Sequence, residues 1–122
     1  MDASTTAPPT APPQATILTA GAIATMPPEP LGAKPGVTRR VLWQSASSEA
    51  GVMTIAAGQR LGPHRHRVNH HHIWVIDGAA EVLGETVRAG AYVHIPSGIE
   101  HDLDASRTEG CTVFYVYEPP VS

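Results

Sequence analysis

Between residues 37 and 117 every apolar run is short, and each one is stopped by glycine or proline: Gly58 to Pro63, Asp77-Gly78, Gly84-Glu85, Gly90, then Pro96-Ser97-Gly98, with Pro119-Pro120 after the last. That punctuation excludes long helices, and no stretch shows helical periodicity over ten or more residues. Residues 38–43, 51–56, 73–76, 80–83, 86–88, 91–95 and 111–117 read instead as strands. Asp77-Gly78 reads as the turn of a hairpin between the third and fourth of these runs. Strands recurring every ~8–12 residues with such turns predict an all-β sandwich or barrel.

The chain before this region has a different character. Residues 1–30 hold seven of the twelve prolines, with Ala and Thr filling most of the rest and Asp2 and Glu29 as the only charges. Such a composition cannot bury a core of its own. The expected organisation is a Pro/Ala/Thr-rich, partly disordered segment over 1–36, a barrel over 37–118 and a tail over 119–122. Ile17, Leu18 and Ile23 form an apolar patch that can lie across the barrel as an edge segment, while Pro27, Pro28 and Pro30 keep the residues after that patch out of any interior strand.

Charge and cysteine usage narrow the function classes. A net charge of −3, with eight Lys and Arg and no basic run, argues against nucleic acid as a partner; Arg65 and Arg67 are the one basic pair near the histidines. No run of eighteen apolar residues could span a bilayer and the N-terminus lacks a basic leader region, so no membrane association and a cytoplasmic location are expected. The lone Cys111 excludes an intrachain disulfide, suggests neither a thiolate zinc site nor a redox motif, and reads as a buried small hydrophobe on a strand.

Six of the seven histidines fall into three groups: the pair His64 and His66, the triplet His70, His71 and His72, and the single His101. Neutral imidazole is the commonest protein ligand for a transition metal, and groups separated by whole strands can converge at one point in a barrel. The competing reading is a barrel mouth lined by ordinary polar histidines. Strand alternation leaves the triplet ambiguous, because an unbroken strand from His64 would put His70 and His72 on the ligand face. His94 stands apart, on the strand before Pro96, as a pocket, packing or catalytic residue.

Two spacings resemble a known family. Gly58, five residues, His64, one, His66, four, His71, six, Gly78 resembles the first cupin motif; Gly90, five residues, Pro96, one, Gly98, two, His101 is similar to the second. The resemblance covers roughly residues 37–117 and implies a cupin double-stranded β-helix, or jelly roll, with His64, His66, His71 and His101 as ligands of one divalent metal ion. His71 stands where these proteins usually carry glutamate, as in the subset with four-histidine centres, and Ala105 stands where the second motif often has asparagine. Counting back from Gly78 selects His71 from the triplet; a one-residue bulge in the spacer after His66 would reconcile that count with alternation.

Four neutral imidazoles leave a divalent ion its full charge, so an anionic ligand is favoured, and Fe, Mn, Ni, Cu, Co and Zn all accept such donors. Six-coordination leaves two open positions, whereas a four-coordinate zinc would be closed and structural. The resemblance implies first a dioxygenase or other oxidoreductase acting on a small enolisable or phenolic substrate. Alternatives are a Lewis-acid cyclase or isomerase of polyketide type, and a non-enzymatic metal-binding or ligand-sensing cupin. Without the usual glutamate, the catalytic base is expected among His70, His72 and His94. The interior should be apolar, lined by alternate residues of 52–55, 92–95 and 113–117, with Trp43, Trp74, Tyr92, Phe114, Tyr115 and Tyr117 as core or interface residues. A core this small suggests support from the metal or from a second subunit, and a homodimer is expected.

Overall fold

The computed structural model describes residues 13–31, 35–64 and 69–119. Their fold is an all-β jelly roll. One short helix, α1 (Ala20–Thr25), precedes seven strands: β1 (Glu29–Pro30), β2 (Val37–Gln44), β3 (Glu49–Ala56), β4 (His70–Val82), β5 (Glu85–Arg88), β6 (Tyr92–Ile95) and β7 (Gly110–Glu118). All pairings between them are antiparallel, in the order β1-β2-β3-β7-β4-β5, with β6 against the first part of β4. Among the described residues no helix is long and apolar enough to cross a membrane.

The hairpin expected at Asp77-Gly78 is not there. Residues 73–82 do not fold back; β4 runs through the dipeptide, and its register against β7 shifts between Val75 and Asp77, the mark of a bulge. Gly78 takes φ 75°, the left-handed region that glycine enters at least cost. At the bulge β4 changes partners. His71 to Trp74 pair with β6, while Ala79 to Val82 pair with β5.

That bend builds a second layer. Residues 58–64 lie antiparallel to residues 101–105, held by Gly58 N–H to Ala105 O, Leu61 N–H to Leu103 O and a reciprocal pair between His64 and His101, and Glu81 of β4 bridges Asp104. Apolar residues at every second position of β3, β4 and β7 face inward: Met53 and Ile55, Ile73 and Val75, Val113 and Tyr115. They meet Leu61, Ala80, Val82, Leu103 and Ala105 from the other layer to form one core. Cys111 is buried in it, and loss of solvation pushes its thiol up to about 11.

Of the N-terminal segment expected over 1–36, residues 1–12 and 32–34 lie outside the described residues. Thr19 caps α1 by accepting the Ala22 N–H, yet the helix buries no residue. Proline-containing β1 pairs only with β2 at the sheet edge, and Arg40 Nε donates to Met26 O at 2.8 Å. Of the apolar patch, Leu18 and Ile23 border a groove of about 420 Å³ against Leu42, Trp43 and Phe114, whereas Ile17 stays exposed. Residues 13–30 therefore lie across the outer face of the sheet and add little to the core.

Candidate metal centre

On β4 the alternation of side chains decides which of the three consecutive histidines can reach the interior. His71, Ile73 and Val75 are buried; His70 and His72 share the opposite face with exposed Trp74. His71 meets His64 and His101 inside the mouth of the barrel. Each of the three offers a ring nitrogen, and these nitrogens lie within 4.8 Å of one another. The fourth expected ligand, His66, lies outside the described residues, as do Arg67 and Val68, the first half of the spacer in which a bulge was expected.

The local backbone prepares two of these rings. His64 Nδ1 is 2.9 Å from Gly62 O and His101 Nδ1 is 3.0 Å from Ile99 O. A carbonyl only accepts, so each Nδ1 carries the proton and each Nε2 is left with its lone pair. His71 Nδ1 is 3.2 Å from His101 Nε2. Two nitrogens bound to one ion at ~2.0–2.1 Å stand roughly 3.0–3.4 Å apart. The His71 and His101 donors therefore stand at the spacing a divalent ion with nitrogen preference needs, and the His64 nitrogen lies within 4.8 Å of both. Burial holds the His101 imidazole below its ordinary pKa, opposed by its bond to the Ile99 carbonyl, and so favours the neutral form that a ligand needs.

Beside these histidines stands an aromatic wall that the motifs did not reveal. The Tyr117 ring lies 4.5 Å from that of His71 and 5.0 Å from Tyr115. Tyr115 donates its hydroxyl to Glu49 Oε2 at 2.6 Å. Burial above all, with the charge of Glu49, pushes the Tyr117 phenol up to about 12. Tyr117 and His64 border a chamber of about 270 Å³ whose other walls are Leu31, Met53, Leu61, Gly62 and Pro63. Period-two alternation along residues 113–117 was the available signal for Tyr117; nothing in the motif spacing marks Gly62.

The base role expected for His70, His72 and His94 does not match their positions. His72 pairs with His94 across β4 and β6, so both rings lie on the outer face, stacked 5.0 Å apart, with His70 5.4 Å from His94. His72 is further engaged by the Tyr92 hydroxyl at 2.6 Å and by Glu118 at 2.7 Å. The sheet separates all three rings from the chamber.

A match over residues 19–121 identifies the ChrR cupin-like domain. The chain belongs to that family. No protein of curated function matches this ChrR cupin-like chain. Among solved structures it is similar to the polyketide cyclase RemF from Streptomyces resistomycificus, at 19% identity over 81% of this chain and 79% of that one, with a TM-score of 0.69. It is similar also to a chain of the Rhodobacter sphaeroides complex between SigE and the anti-sigma ChrR, at 21% identity and a TM-score of 0.65, covering 78% of this chain and 50% of that one. The ChrR cupin-like chain thus spans about half the length of its match in that complex. A conserved protein of unknown function from Streptococcus pyogenes shares 27% identity over 70% of this chain and 76% of that chain, with a TM-score of 0.59. The two likenesses of lower identity show the shared fold and nothing finer.

Proposed function

We propose that this protein is a mononuclear divalent-metal cupin enzyme in which His64, His66, His71 and His101 hold the ion. Its substrate is small, enolisable or phenolic, and anionic when bound. The observation that carries this reading is the convergence of three imidazoles beside an apolar chamber of about 270 Å³. The bound ion would supply Lewis acidity toward a substrate oxygen and, where the metal is redox-active, one-electron chemistry with O₂.

The remaining work falls to the chain. Hydrogen bonds to Gly62 O and Ile99 O keep His64 and His101 in one tautomer. Leu31, Met53, Leu61 and Pro63 keep water from the bound substrate, and the Tyr117 ring offers a flat face for a planar one. With its phenol pushed up to about 12, Tyr117 stays protonated and serves as a hydrogen-bond donor rather than as a base. Among the described residues no carboxylate lines the chamber. A substrate that ionises readily, such as a diketone or a phenol, suits a site so poor in bases, and an oxidoreductase acting on it is the primary reading.

Metal analysis with an X-ray absorption readout of coordination number, on wild type and His71→Ala, is the test. Six-coordinate iron, manganese, nickel or copper that is lost in the variant, together with oxygen uptake on phenols or diketones, supports the oxidoreductase. Six-coordinate zinc without oxygen uptake turns the reading to the Lewis-acid cyclase or isomerase. Membership of the ChrR cupin-like family favours one further reading, a metal- or ligand-responsive module that serves a regulator. A closed four-coordinate zinc bound by nitrogen alone would decide for that module and against an enzyme.

A further inference from the structure

Asp102 is next to His101 in the chain, but its side chain reaches across to the opposing strip of residues 58–64. Oδ1 accepts the Gly62 N–H at 2.8 Å, while Oδ2 accepts from Arg60 Nε at 2.7 Å and is paired with Arg60 Nη2. The Asp102 side chain is 14% exposed against 52% for Arg60, so a largely covered carboxylate is held from its outer side by a cation. Such a two-pronged contact fixes orientation as well as charge.

The residue it holds is the one able to swivel. Gly62 has φ 100°, in the region that side chains disfavour, and Pro63 after it has its φ restricted by its ring. Pro63 restricts the ψ of the residue before it, so the freedom left to Gly62 is in φ, which the anchor on its N–H limits. Here the N–H is tied to Asp102, and the carbonyl of the same residue accepts the His64 Nδ1–H at 2.9 Å. Carboxylate, glycine and imidazole thus form one chain of contacts, running from a residue beside one expected ligand to the ring of another.

We infer that Asp102 is a positioning residue for the metal centre: it locks the Gly62 turn, so that Gly62 O keeps the proton on His64 Nδ1 and leaves Nε2 as the donor atom. This rests on the reading of His64 as a ligand. His101 supplies an internal control, because its own Nδ1 is held by Ile99 O without the Asp102 side chain. Outer partners of this kind set the tautomer of a ligating histidine, and their loss typically costs metal affinity ~10–100-fold.

The test uses the full chain, metal-free and ¹⁵N-labelled, with imidazole tautomers read from two-bond nitrogen–proton correlations and zinc affinity read by competition with a chromophoric chelator. Wild type is expected to show the Nδ1–H form at both His64 and His101. In Asp102→Ala, His64 becomes a mixture of tautomers, His101 is unchanged, and zinc affinity falls by on the order of 10–100-fold. Asp102→Asn, whose amide oxygen can still accept the Gly62 N–H, keeps the tautomer and most of the affinity. An Nε2–H form of His64 in wild type overturns the proposal, as does an unaltered tautomer in Asp102→Ala. A loss in Asp102→Asn equal to that in Asp102→Ala also overturns it, since charge rather than the hydrogen bond would then be responsible. Should Asp102→Ala fail to fold, the wild-type tautomer and the exchange protection of the Gly62 amide decide: both present supports the clamp, either absent overturns it. Wild type that binds no zinc defeats the ligand reading alone, because the tautomer and Gly62 protection still judge the clamp.

Discussion

A buried imidazole is a poor place for a proton, and His101 shows the consequence. Burial lowers its pKa in the folded chain, while the unfolded chain keeps the ordinary value of about 6.5. Between the two values the unfolded state binds the proton more readily, so stability present above about 6.5 is lost as pH falls toward the folded value. The urea midpoint of the metal-free protein is therefore expected to drop between about pH 7.5 and 5.5, and to drop less in His101→Gln. Equal midpoints at the two pH values in wild type would count against the burial argument. Legibility at this scale was uneven, and His71 shows why. The count back from Gly78 points to the triplet member that the structure buries, because motif spacing carries the bulges of a whole family. The base role expected of His72 and His94 could not be judged in the same way. Which face a side chain takes depends on a register, His72 opposite His94, that local sequence does not contain.

At the scale of elements, β4 is where local signal and structure part. Asp77-Gly78 with small apolar residues after it has the chemistry of a two-residue turn, and a hairpin was the natural expectation. A bulge needs the same chemistry, since both put glycine at positive φ. Only the partner strand distinguishes them: here β7 runs alongside both sides of the shift, pairing Val75 with Val113 and Gly78 with Cys111. The close passage makes Gly78 irreplaceable. A Cβ at that position would stand 2.0 Å from Gly110 O, and the residue would also be held at φ 75°. Gly78→Ala is expected to cost about 3 kcal/mol, from overpacking against backbone together with an unfavourable dihedral. Urea unfolding checks this. A negligible loss, or a gain, would mean that the bulge can slide, since an unstrained change from glycine to alanine stabilises by up to about 1 kcal/mol.

At the scale of the molecule, the order of strands rests on partners far apart in the chain, such as Glu49 beside Tyr117 and His70 beside Glu118. The predominance of short strands is a local property and was legible; their number was not, since β4 was read as two strands and β1 was not read at all. Strand order reflects packing between layers, and only the family resemblance anticipated the jelly roll. The expected ligands use the same distant connections: His64 and His101 hold the two strips of the second layer together, while His71 belongs to the central strand β4 of the first. An ion bound by all three would tie both layers at the open end of a small core, and it would bind the folded chain alone. Zinc at a hundred times its dissociation constant should then add about 2.7 kcal/mol. For a domain of this size that raises the melting temperature by on the order of 10 °C. The increase should vanish with a chelator and be absent in His71→Ala. A melting curve for wild type that ignores both zinc and chelator would mean that the three imidazoles close the mouth of the barrel by hydrogen bonds alone, and the proposed metal centre would fall with it.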